Sequence, residues 1–131
     1  MLDHVSLGTH DLSRSTAFYS AVLAPLDYRI QVQNENEVGF GIGDEWTFFL
    51  YPAAIDAALI GARTHIAFRA KARTAIIAAY AIALADGGRA LADRAPAERP
   101  QFGADYFGCT FTDPDGHTIE LMTRAGAGNG A

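Results

Sequence analysis

Residues 4–7 read His4-Val5-Ser6-Leu7, and residues 65–68 read His65-Ile66-Ala67-Phe68. Tyr19 and Leu23 follow the first tetrapeptide, Tyr80 and Leu84 the second, all at a constant spacing of 61 residues. A histidine among strand-forming residues is an uncommon choice once; repeated in register, it points to a duplicated module whose halves share one site. The fold read outward from this pair is α+β: two βαβββ modules, residues 1–52 and 62–124. Both modules belong to one domain over residues 1–125, with a disordered tail expected at 126–131.

In the first module, residues 2–7 alternate apolar and polar side chains, and Ser13 is the expected N-cap of a helix running through Phe18, Val22 and Leu23 to Pro25. Strands are expected at 28–33, 38–42 and 46–51. The second module repeats the order, with a strand at 64–69 and a helix capped by Thr74 that buries Ile76, Ile77, Tyr80 and Leu84. A weak strand at 89–94, a loop over 95–103, and strands at 106–112 and 117–123 follow, the last two joined by the turn Asp113-Pro114-Asp115-Gly116.

A chain of 131 residues, 50% hydrophobic and 19% charged, has enough apolar side chains for one core without staples. Ten basic against 15 acidic residues leave a net charge of −5 and no basic stripe for phosphates, so nucleic acid is not an expected partner. The single cysteine, Cys109, excludes an intramolecular disulfide, and the start lacks the layout of a signal peptide; a cytoplasmic location is expected. No apolar run approaches the roughly 20 residues that span a bilayer, so no membrane association is expected.

Strand parity sorts the ionisable residues by face. Val5 and Leu7 share one face of the first strand and leave His4 and Ser6 on the other. Ile66 and Phe68 do the same for His65, and Ile119 and Leu121 for Thr118, Glu120 and Met122. The aliphatic faces suit packing under the helices, which turns His4, His65 and Glu120 toward the cleft. Two imidazoles and a carboxylate on one concave face suit a divalent metal, Fe, Mn, Zn or Ni, with positions left open for substrate. The alternative is a hydrogen-bonded polar cleft that holds an organic ligand without metal.

Leu2-Asp3-His4-Val5-Ser6-Leu7, Thr64-His65-Ile66-Ala67-Phe68 and the closing Phe111-Thr112-Asp113-Pro114-Asp115-Gly116-His117-Thr118-Ile119-Glu120-Leu121 together resemble the vicinal oxygen chelate superfamily, which includes glyoxalase I, bleomycin resistance proteins, fosfomycin resistance proteins and extradiol dioxygenases. The resemblance implies paired βαβββ modules forming a cupped, partly open barrel around a central cleft that holds a metal, often in a homodimer, and places His4, His65 and Glu120 at three ligand positions. Laying residues 46–50 over 117–121 sets Phe49 where glyoxalase I carries a second glutamate, ligand and base at once. Phenylalanine can be neither, which disfavours lactoylglutathione lyase activity. The basic surroundings of fosfomycin resistance proteins are not evident in the sequence. Thr110 stands where an extradiol dioxygenase carries its tyrosine, while Tyr106, four residues earlier at the same parity, is the phenol that could act as acid or base.

Ser6, Thr47, Phe49, Tyr51, Thr110 and Met122 are expected to contact a small substrate, and Trp46, Phe48 and Leu50 to be core. Cys109 is read as a small buried hydrophobe, His10 and His117 as exposed. Arg63 and Arg69, bracketing the fifth strand, could attract an anion. The leading reading is a metal-dependent enzyme acting on a small oxygen-chelating substrate. The rival is a metal-free drug-binding protein of the bleomycin-resistance kind.

Overall fold

The computed structural model describes residues 1–127, so the expectation of a disordered tail falls largely on residues 128–131, outside those described. Strand β1 (Val5–Thr9) leads into helix α1 (Leu12–Leu23), a short 3-10 turn (Ala24–Leu26) and strands β2 (Arg29–Gln33), β3 (Val38–Gly41) and β4 (Phe48–Pro52). The second half runs through β5 (His65–Arg69), α2 (Arg73–Ala85), the two-residue strands β6 (Arg89–Ala90) and β7 (Ala97–Glu98), β8 (Phe107–Thr112) and β9 (Thr118–Thr123). Each half makes its own sheet: β1-β4-β3-β2 in one, β5-β9-β8-β6 in the other with β7 also on β8. The two sheets are cupped rather than closed into a barrel.

Both sheets begin with a parallel pair, β1 on β4 and β5 on β9. Their registers are equivalent: Ser6 lies beside Phe49, as Ala67 lies beside Glu120. Phe49 therefore occupies in the first sheet the position that Glu120 occupies in the second, as the sequence overlay expected.

The helix starts correct two expectations while keeping the repeat. The N-caps are Asp11 and Ala72, again 61 residues apart, in place of Ser13 and Thr74. Asp11 holds extended backbone and its carboxylate accepts from the Arg14 amide at 3.0 Å, which satisfies a first-turn donor two residues earlier than Ser13 would. On α2 the buried stripe is Ile76, Ala79 and Ala83, whereas Ile77 and Leu84 are exposed. The alanines let α2 approach α1 and β8 closely, so residue size misleads about the buried face.

The core is continuous across the two halves. Phe48 of β4 meets Phe68 of β5 edge to face at 5.1 Å, Tyr19 of α1 packs on Phe48 at 4.9 Å, and Phe18 reaches Phe111 of β8 at 6.3 Å. Cys109 is buried among them, as expected. Trp46 is not core: β4 begins only at Phe48, and the indole, on the preceding turn, is 49% exposed.

A second seam is polar. The turn between β8 and β9 reaches back about a hundred residues to the end of β1 and the start of α1. Asp115 accepts from Thr9 Oγ1 at 2.5 Å, Ser15 Oγ at 3.0 Å, the His10 amide at 3.2 Å and Arg14 Nη2 at 2.8 Å. Asp113 accepts from Tyr19 Oη at 2.5 Å and from the amides of Asp115 and His117. The His117 ring bonds the Gly8 carbonyl at 2.7 Å through Nε2 and is buried, contrary to expectation. His10 is half-buried rather than exposed, with its Nδ1 enclosed. Both rings leave solvent because the turn docks on the first module.

Candidate functional site

Strands β5 and β9 run parallel in a register that places Ala67 beside Glu120 and His65 beside Thr118, so His65 and Glu120 stand on one face, one step apart. Their side chains meet: His65 Nε2 lies 3.5 Å from Glu120 Oε1. Strand β8, on the other side of β9, brings Tyr106 to the same carboxylate, where its hydroxyl donates to Oε2. Glu120 keeps 18% of its side-chain surface and His65 53%, so the carboxylate is sheltered while the imidazole stands at the rim.

Desolvation and the hydrogen bond to the Glu120 carboxylate push the Tyr106 phenol up to about 12, partly offset by Arg124, whose guanidinium lies 5.4 Å from the ring centre. At neutral pH Tyr106 keeps its proton. It donates to one oxygen of Glu120, while the other lies toward His65.

The pair borders a cavity of about 310 Å³, lined also by Arg63, Arg94, Arg99, Phe102, Cys109 and Thr110. Burial pushes the Cys109 thiol up to about 12, which makes it a poor nucleophile there. Sequence reasoning included Arg63 only as a flank of β5 and missed Arg94 and Arg99. Both lie in the irregular segment before β8, whose course strand parity does not describe. Arg69 does not line this cavity.

His4, immediately before β1, lines a second cavity, of about 440 Å³, with Asp3, Tyr28, Thr47, His65 and Phe68. Asp3 Oδ1 lies 2.7 Å from His4 Nδ1; a carboxylate in that place accepts a hydrogen bond from Nδ1–H, the tautomer that keeps the lone pair on Nε2. Phe49 meets His4 edge to face at 5.4 Å and stacks on Tyr51 at 6.1 Å, so these three share a wall, with Ser6 exposed beside Phe49 in register. Met122 shares the parity of Glu120 yet is buried.

Two atoms bound to one ion at about 2.1 Å and at octahedral to tetrahedral angles are about 3.0–3.4 Å apart. The His65–Glu120 spacing of 3.5 Å fits two such ligands. His4 does not join them: among the described residues no three His, Cys, Asp or Glu side chains gather so as to hold a metal ion. Nor is any helix among them long and apolar enough to cross a membrane.

The model of the Glyoxalase/Bleomycin resistance protein/Dioxygenase superfamily matches residues 1–121. No curated protein matches the chain. Among solved structures, a glyoxalase/bleomycin resistance protein from Albidiferax ferrireducens T118 superposes with a TM-score of 0.82 at 23% identity, covering 94% of this chain and 98% of that one. The fosfomycin resistance protein FosX from Mesorhizobium loti gives 0.67 at 26% identity, with 94% and 91% covered. An E144Q mutant of glyoxalase I from Zea mays gives 0.72 at 22% identity; the match covers 92% of this chain but 46% of the maize chain.

Proposed function

The chain belongs to the glyoxalase/bleomycin resistance protein/dioxygenase superfamily, and from that premise we propose that it is a metal-dependent enzyme acting on a small organic substrate at the His65–Glu120 pair. The observation that carries this reading is the pair itself: an imidazole nitrogen and a carboxylate oxygen 3.5 Å apart at a cavity, the second oxygen already taken by Tyr106. A divalent metal held there would polarise substrate oxygens as a Lewis acid or bind dioxygen.

His4 is the third ligand in this reading, supplied by a second copy of the chain. Support comes from the lack, among the described residues, of any group of three such ligands within one chain, from the Asp3 carboxylate beside Nδ1, and from the exposed apolar side chains of Leu2, Trp46 and Tyr51 on this half of the chain. Such apolar exposure suits an interface between copies. In this reading Tyr106 orients Glu120 through the hydrogen bond that it donates to Oε2. Phe49, where a second carboxylate would stand, offers no base, so a reaction that shuttles a proton between adjacent carbons is not the one proposed.

The test is metal content after purification without chelators. The wild type is expected to hold a divalent ion, and His65→Ala and Glu120→Ala to lose it while keeping their circular dichroism. Equal, negligible metal in all three, with ligand binding undiminished by chelator, would support the metal-free binding protein instead.

A further inference from the structure

The His65–Glu120 cavity has the opposite charge to the rest of the chain. Arg63, Arg94 and Arg99 line it, and Glu120 is the sole acid among its lining residues, in a protein whose net charge is −5. Arginines at a surface usually find a carboxylate. Arg14 pairs with Asp115 and Arg73 with Glu98, but among the described residues none of the three cavity arginines has an acidic partner within 4.0 Å. Glu120, the acid at hand, is already engaged by His65 and Tyr106.

The backbone holds these arginines in place. The Thr110 amide donates to the Arg94 carbonyl at 2.9 Å, and the Arg99 amide donates to the Tyr106 carbonyl at 2.8 Å, tying both residues to the β8 segment. Arg99 Nη2 is further anchored on the Ala95 carbonyl at 2.8 Å. Arg63 itself has φ 60°, and Asp93, which precedes Arg94, has φ 59°. Left-handed backbone is disfavoured for residues with side chains, and here it occurs where the chain turns arginines toward one cavity.

We infer that this cavity takes a small organic anion, its carboxylate or phosphonate oxygens held by Arg63, Arg94 and Arg99 and its apolar body lying against Phe102. The guanidinium fork matches planar or tetrahedral oxyanions, and three guanidiniums without an acidic partner in a concave site concentrate anions at the mouth. The inference rests on the placement of the reaction at His65–Glu120, and it deepens that reading by naming the substrate class. It also weighs against a cationic drug as the ligand of this cavity.

Calorimetric titration with benzoate, phenylphosphonate and neutral benzamide tests it, with chelator present so that the metal plays no part. Benzoate or phenylphosphonate is expected to bind at least tenfold more tightly than benzamide, with affinity falling as salt rises. Whichever anion binds more tightly tells whether the site suits a planar or a tetrahedral group. Arg94→Gln and Arg99→Gln should each weaken the anion about tenfold and leave benzamide unchanged. The same titration on Glu120→Gln should keep or tighten anion binding. Anion and amide binding alike, neither anion binding at millimolar concentration, or folded arginine variants binding like wild type would each overturn the inference. Metal without anion preference would leave the metal reading standing, and anion preference in a protein that holds no metal would sink that reading alone.

Discussion

Replacing Asp115 by alanine tests the polar seam that joins the closing turn to the first module. The carboxylate, 1% exposed, accepts from Thr9, Ser15, the His10 amide and Arg14. Hydrogen bonds to a charged acceptor contribute about 1.5–3 kcal/mol each, and neutral ones about 1. The Thr9 and Ser15 hydroxyls stay paired with each other at 2.6 Å, so their loss is near the lower figure, and half-exposed Arg14 contributes under about 1 kcal/mol. With the hydroxyls at about 1 kcal/mol each, the long His10 amide bond at about 1.5 and Arg14 at about 0.5, the sum is about 4 kcal/mol. With an unfolding entropy of roughly 2.1 cal/mol/K per residue, Tm should fall by about 10–15 °C. Asp115→Asn, which keeps an acceptor but not the charge, should lose about half of that.

Burial alone would raise the Asp115 carboxyl, but the hydrogen bonds from Thr9, His10 and Ser15, with the charge of Arg14, hold it below its ordinary value. A depressed folded-state pKa means that its stabilisation is fully present above the unfolded value near 3.9 and is lost as pH falls through the lower folded value. Asp113 works the other way: burial raises its carboxyl, so protonation in acid favours the fold through that group. Thermal unfolding followed by circular dichroism from neutral pH to about pH 2 should therefore show a flatter acid limb in Asp115→Asn than in wild type. A Tm shift below about 3 °C for Asp115→Ala, or an unchanged acid limb for Asp115→Asn, would refute this account of the seam.

Three further outcomes are expected. Tyr106→Phe should weaken metal binding by about 10–100-fold, read by competition with a chelating dye, while changing stability by less than about 1 kcal/mol. Cys109, its thiol pushed up to about 12 by burial, should resist iodoacetamide at pH 8 in the native protein and react fully in denaturant, as mass spectrometry would report. Gly41→Ala should cost about 2–4 kcal/mol in urea unfolding, because a Cβ there would lie 1.5 Å from the Glu45 carbonyl oxygen and force the β3–β4 connection to move.

The sequence carries the His65–Glu120 pair but only part of its surroundings. His65 and Glu120 were legible because both stand on regular strands, where a period of two fixes the face, and the same parity brought Tyr106 to their side. The equivalence of Phe49 and Glu120 followed from the repeat, and the backbone registers bear it out. Arg94 and Arg99 were not legible, since their approach to the cavity depends on turns with left-handed backbone at residues without glycine's freedom. Asp113-Pro114-Asp115-Gly116 announced a turn, yet nothing local tells that its carboxylates and His117 bond residues a hundred positions away. His117 and Trp46 were misjudged for one reason: burial at strand ends is decided by which distant segment docks there.

In the proposed site His65 and Glu120 of one copy share an ion with His4 of another. His4→Ala and Glu120→Ala chains bearing different tags can be co-expressed and the mixed dimer isolated for metal analysis. Each homodimer should hold little metal, whereas the mixed dimer should regain one of its two sites, because one face then has His4 from one copy and the intact His65–Glu120 pair from the other. A mixed dimer as empty as its parents, beside a wild type that binds metal, would place all three ligands within one chain and contradict the claim.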